Sequence, residues 1–252
     1  MARLAIVSAM RQELDAVLRL MPDEQMQRAA GRAFWLGHLQ GHAVVAALSR
    51  IGKVAAATTA TALIERFQVD RIVFTGVAGG LGPTVAVGDM VVAQAFMQHD
   101  LDATPIFPKY EVPLYGLSRF PTDPTLSECL LRAAAMVAGD AATSQTSHPG
   151  AEFGLKAPQV HQGLILSGDR FVATSAEALA LQQALPDALA VEMEGAAFAQ
   201  VCHDYGVPFA ALRVISDRAD DAAHIDFLRF IDRVASRYSV AIVGKLLELL
   251  PH

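Results

Sequence analysis

Two glutamates stand two residues apart in the run Val191-Glu192-Met193-Glu194, within an otherwise apolar stretch. Like charges held that close are costly when buried, so the pair is hard to read as purely structural. A third carboxylate, Asp217, follows Ser216 at the end of the run Phe209–Ser216, and a fourth, Glu13, comes shortly after Met10. Carboxylates in such places can give or take protons in a reaction. Taken singly, each has a plainer reading. Glu13 suits the N-terminus of a helix, where negative charge is favourable. Met193 suits core filling, and Asp217-Arg218-Ala219-Asp220-Asp221 suits a solvated loop. The cluster Gly76-Val77-Ala78-Gly79-Gly80 suits a tight strand–helix turn. It has neither the Gly-Lys-Ser/Thr of a phosphate loop nor the dinucleotide glycine spacing. His203 and His224 lack metal-ligand spacing, and no metal site is expected.

The elements that carry these residues give them a common address. Apolar runs alternate with helix-forming segments, the pattern of a wound α/β domain. Strands are expected at Leu4–Ser8, Arg71–Thr75, Asp89–Gln94, Val160–Ser167, Ala188–Glu192 and Phe209–Ser216, with a hairpin joining Phe34–Leu39 to Ala43–Ser49. Helices are expected through Leu14 and Leu20, then over Val54–Phe67, Leu126–Val137, Ala176–Ala184, Gly195–Tyr205 and Phe227–Leu249. Two stretches, Phe96–Pro121 with its prolines and Asp140–Pro158 with its small residues, read as irregular loops. In open α/β sheets ligands collect at the carboxyl ends of strands. Met10 with Glu13, the glycine cluster, Glu192-Met193-Glu194 and Ser216-Asp217 each follow or end an expected strand. That convergence says more than any one residue.

Composition narrows the class. The 252 residues suit one large domain, and no repeat or compositional break divides residues 1–252. The hydrophobic fraction of 53% suits a sheet buried on both faces. A net charge of −6 without any basic stripe argues against a nucleic-acid partner. No stretch reaches the length of a membrane span, and the short apolar run Leu4–Ala9 lacks the pattern of a signal peptide. Cys129 and Cys202 read as reduced core thiols, and the expected compartment is the cytosol.

Ser8-Ala9-Met10, Glu13, Gly52-Lys53-Val54-Ala55-Ala56, Thr75 through Gly80, Val87-Gly88-Asp89, Ser167-Gly168-Asp169, Val191 through Glu194 and Ile215-Ser216-Asp217 occur in that order. Together they resemble the 5′-methylthioadenosine/S-adenosylhomocysteine nucleosidases of the nucleoside phosphorylase superfamily. The resemblance implies a three-layer α/β/α fold with a twisted mixed central sheet, and a cofactor-free hydrolase that releases adenine from a 5′-thio-substituted adenosine. It implies that Asp217 is the general acid that protonates N7 of the purine and that Glu13 is the base that activates water. An ordinary Asp has a pKa near ~3.9, so that role requires a raised pKa or a shared proton. By the same resemblance Glu194 accepts hydrogen bonds from the ribose hydroxyls, Met10 and Met193 pack around the sugar, and Phe171 stacks on the purine. Ile51, Val77, Val172, Glu192, Arg213, Ser216 and Phe227 complete the implied substrate site. The family implies a homodimer.

Departures from the family pattern keep other readings open. Val77 stands where many relatives have a serine, and it cannot donate to phosphate, so hydrolysis is favoured over phosphorolysis. Arg50, beside Ile51-Gly52-Lys53, keeps a purine phosphorylase in view. A non-catalytic nucleoside-binding protein on the same fold is a third reading, disfavoured by the joint presence of Glu13, Glu194 and Asp217. The segment Ile106–Tyr110 and the stretch Asp140–Pro158 leave the 5′-substituent unspecified.

Overall fold

The computed structural model describes residues 3–143, 148–218 and 227–251. Its elements follow the chain as β1 (Arg3–Ser8), α1 (Arg11–Leu18), β2 (Gln25–Ala29), β3 (Arg32–Leu39), β4 (His42–Leu48), α2 (Lys53–Phe67), β5 (Arg71–Gly80) and β6 (Met90–Gln98). Then come β7 (Arg119–Pro121), α3 (Pro124–Thr143), β8 (Val160–Ser167), α4 (Ser175–Ala184), β9 (Ala188–Glu192), α5 (Gly195–Tyr205) and β10 (Phe209–Asp217). A final helical run comprises α6 (Phe227–Phe230), a π-helical stretch (Ile231–Ala235) and α7 (Ser236–Leu249).

The strands form one mixed sheet in the order β10-β6-β8-β9-β5-β1-β4-β3-β2, with β7 on β6. The apolar runs are buried on both faces, which is why they read as continuous rather than alternating. On one face Leu4, Ile6, Val73 and Leu212 meet α1, α3 and α7 through Leu14, Leu130, Ile242 and Leu246. On the other, Ala5, Val7, Phe74 and Ala211 meet α2 and α5 through Ala60, Leu63, Phe198 and Cys202. The three-layer α/β/α expectation therefore holds. One feature goes beyond it. β10 pairs with β5 as well as β6, so β5, β10, β6, β8 and β9 close into a ring, and the rest of the sheet extends from β5.

Several boundaries differ from the sequence expectation for physical reasons. The glycine cluster is not a turn: β5 runs straight through it to Gly80. Glycine is favoured there by close approach, because a Cβ on Gly76 would lie 3.2 Å from the Ala9 side chain and one on Gly80 would lie 3.0 Å from Ile215 Cγ2. β6 continues to Gln98 and α3 to Thr143, so each shortens an expected loop. β2 is polar and exposed along most of its length, and such an edge strand has no buried face to give it a period-2 signal. β7 is three residues long and ends in proline, as only an edge position tolerates. Among the described residues no helix is long and apolar enough to cross a membrane.

Candidate active site

A cleft whose empty space, counting the part open to solvent, is about 730 Å³ opens at the carboxyl ends of β1, β5, β9 and β10. Met10, Ile51, Val77, Phe171, Val172, Glu192, Met193, Glu194, Ser216 and Asp217 all line it. Glu13 and Arg213 do not: both are fully buried behind the wall. Phe227 opens α6, and its side chain lies outside the described residues.

The two close glutamates have distinct surroundings. The Glu192 carboxylate sits at the N-terminus of α5, where Gly195 N–H lies 2.9 Å and Glu194 N–H 3.2 Å from its oxygens. These are N–H groups that a helix start leaves unsatisfied, and an anion there is favourable. Ser167 Oγ donates to the same carboxylate while accepting from Ala196 N at 2.7 Å. Arg213 Nη2 donates to Glu192 Oε2 at 2.8 Å, so this charge is neutralised inside the protein. Arg213 in turn gives Nη1 to the carbonyls of Phe74 and Leu212, both at 3.0 Å, and stacks 4.1 Å from the Phe74 ring centroid. It is a buried cation serving Glu192, not a lining residue.

Glu194 faces the cleft, and among the described residues no cation contacts it. Its Oε1 accepts from Gly52 N–H at 2.9 Å at the start of α2. Burial, and next the neighbouring Glu192 charge, push its carboxyl up to about 7, while the Gly52 N–H and Arg213 oppose the rise. The cost predicted for two close carboxylates thus falls on Glu194, because Arg213 serves Glu192.

Asp217 owes its direction to a bulge. Ile215 pairs with Ala78 and Asp217 with Gly79, leaving Ser216 as the extra residue between them. A bulge re-aims side chains that regular alternation would send to opposite faces, and both Ser216 and Asp217 reach the cleft. Ser216 Oγ donates to Asp217 Oδ2 at 2.7 Å. Glu13, one turn into α1, accepts Met10 N–H at 3.2 Å on Oε2 and Ser239 Oγ–H at 3.1 Å on Oε1. Burial raises its pKa above the ordinary carboxylate value against the opposing pull of those bonds and of Arg213.

The family model described as "Phosphorylase superfamily" matches residues 3–248. A 5′-methylthioadenosine/S-adenosylhomocysteine nucleosidase of Chromohalobacter salexigens is 35% identical over 99% of this chain and 98% of its own length. The chain belongs to this nucleosidase family within the phosphorylase superfamily. The crystal structure of the Neisseria meningitidis nucleosidase in complex with methylthio-immucillin-A superposes with a TM-score of 0.86 at 35% identity, covering 99% of this chain and all (100%) of that one. The futalosine hydrolase of Helicobacter pylori is also similar, with a TM-score of 0.81 and 30% identity over 99% of this chain and 98% of that one.

For a nucleosidase-family chain the most informative departures are at the rim. Val77 presents a hydrocarbon to the cleft. Arg50, which could have held phosphate, donates instead to Gly31 O at 2.6 Å and does not line the cleft. Sequence reasoning did not single out Arg170, which lines the cleft beside Phe171 and pairs with Glu177. Nor did it find Ser239, whose only trace was a hydroxyl on the apolar face of the last helix.

Proposed function

We propose that this chain hydrolyses the N-glycosidic bond of 5′-methylthioadenosine/S-adenosylhomocysteine-type nucleosides, releasing adenine and a 5-thio-ribose. The observation that carries the reading is the meeting of Glu194, Met193, Phe171 and Asp217 in one cleft of a chain matched over nearly its full length to nucleosidases. Asp217 gives its proton to N7 as the C1′–N9 bond breaks, so the base leaves neutral. Water adds its oxygen to C1′ and loses a proton to Glu13. Glu194, when ionised, accepts the ribose hydroxyls, and the acidic surroundings stabilise the cationic sugar of the transition state. Glu192 and Arg213 hold the floor beneath them. Met10, Ile51, Val77 and Val172 supply apolar walls.

Val77 at the acceptor side and the engagement of Arg50 with Gly31 support water over phosphate. The test is incubation of 5′-methylthioadenosine with and without phosphate. Adenine and free sugar should form at a rate that phosphate does not change, and a sugar 1-phosphate as main product would overturn the reading.

A homodimer fits the cleft rim, where Ile51 is 65% and Val54 79% exposed at the start of α2. A second copy covering this apolar edge would bury both. Sedimentation should give about twice the 26.8 kDa chain mass. A cytosolic place suits the two free thiols, Cys129 and Cys202, and a role in methionine salvage suits the substrates.

A further inference from the structure

Gly52 and Lys53 stand at the start of α2, and their consecutive N–H groups serve two different carboxylates. Gly52 N donates to Glu194 Oε1 at 2.9 Å, and Lys53 N donates to Asp169 Oδ1 at 2.7 Å. Asp169 follows β8 and is itself tied: its N–H donates to Asp100 Oδ2 at 2.8 Å. Asp100 Oδ1 accepts from Lys53 Nζ at 2.5 Å, and the same ammonium donates to Gln98 Oε1 at 3.0 Å. The circuit returns to the residue from which it starts.

The backbone here needs such a tie. Arg50 has φ +63° and Gly52 φ +92°, two left-handed residues around Ile51. Conformations of that kind persist when their surroundings over-determine them. A Cβ on Gly52 would lie 3.1 Å from Asp169 Oδ1, so carboxylate and turn are in close contact. The Asp169 side chain is 49% exposed, and water would satisfy it if the turn moved away. Its bond to Lys53 N–H therefore fixes the turn more than it satisfies a buried group.

We infer that Asp169 is a positioning residue for the ribose carboxylate: by holding Lys53 N–H it keeps the adjacent Gly52 N–H on Glu194 Oε1. This rests on the reading of Glu194 as the group that binds the ribose hydroxyls. Two opposite effects on Glu194 separate the role from simple electrostatics. Losing the Gly52 N–H raises the pKa of Glu194, so the acid limb of substrate binding moves to higher pH. Losing only the nearby Asp169 charge moves it to lower pH.

The test compares D169A and D169N with the wild type on 5′-methylthioadenosine across the neutral pH range, with thermal unfolding to verify that each variant is folded. D169A should raise KM by about tenfold, the worth of one hydrogen bond to a charged acceptor, and shift the acid limb upward. D169N keeps the acceptor oxygen and should restore KM without an upward shift. A wild-type KM in D169A, or equal losses in both variants, overturns the inference. E194Q and the double variant locate any failure. If E194Q leaves KM unchanged, the assignment of Glu194 falls and this inference with it. If E194Q raises KM and D169A adds its full factor on top, the assignment stands and the positioning role falls, because coupled residues must be non-additive.

Discussion

Ser216 donates its hydroxyl to the carboxylate of the next residue, Asp217, at 2.7 Å, an arrangement made possible by the bulge that turns both side chains into the cleft. The hydrogen bond fixes the orientation of the Asp217 carboxylate. Replacing Asp217 by Asn preserves shape and hydrogen bonding but removes the transferable proton. D217N should lower kcat on 5′-methylthioadenosine by ~10²–10⁴-fold with an unchanged unfolding midpoint. Near wild-type turnover would remove Asp217 from the mechanism.

Glu13 and Glu194 should fail differently. E13Q removes the group proposed to activate water and should depress kcat while an unreactive nucleoside analogue still binds. E194Q should weaken analogue binding as well, since ionised carboxylates make the stronger bonds to hydroxyls. Calorimetry with the analogue separates the two, and the reverse pattern would exchange their roles.

Glu194 also imprints a pH dependence on stability. Its carboxyl rises from 4.5 to about 7 on folding, so the folded chain holds this proton when the unfolded chain has lost it. Stability from this group is full below the unfolded value and falls as pH rises from about 4.5 to about 7. Unfolding midpoints of wild type and E194Q should converge at the acid end of that window and separate at the neutral end, with E194Q the more stable. Parallel curves would show that the carboxyl is not perturbed.

Arg213 is the stabilising counterpart. Truncating one member of a buried pair leaves the other uncompensated, at a cost of about 3–5 kcal/mol. R213M should lose about that much in denaturant unfolding, and adding E192Q should recover part of it. A loss below about 1 kcal/mol would mean that water replaces the guanidinium.

Sequence alone was most informative where burial imposes a pattern. Val160–Ser167, Ala188–Glu192 and Gly195–Tyr205 emerge with the bounds the sequence suggests, because each is a compact apolar element with a clear stop. Of the cleft lining, Met10, Val77, Glu192, Met193, Glu194, Ser216 and Asp217 were legible as strand ends, whereas Ile51, Phe171 and Val172 followed only from the family resemblance. Relationships between distant residues were not legible. Ser239 meets Glu13 across 226 positions, and Arg213 meets Glu192 across 21, and no local period encodes either encounter. The glycine cluster was misread as a turn because its reason is the approach of Ala9 and Ile215 from neighbouring strands.

The π-helical stretch Ile231–Ala235 sets the phase of the chain's end. Each residue of an α-helix turns the axis by about 100°, so an extra residue per turn rotates everything beyond it relative to everything before. Phe230 and Ile231 on one side, and Tyr238, Ile242, Val243 and Leu246 on the other, are all buried with this offset in place. Removing one residue from the stretch would make the two sets point in different directions, and only one could stay inside. The larger set lies beyond the offset and would hold its seat, keeping Ser239 on Glu13. Phe230 would swing outward. A single-residue deletion in this stretch would thus act as a rotation of α6 about the helix axis.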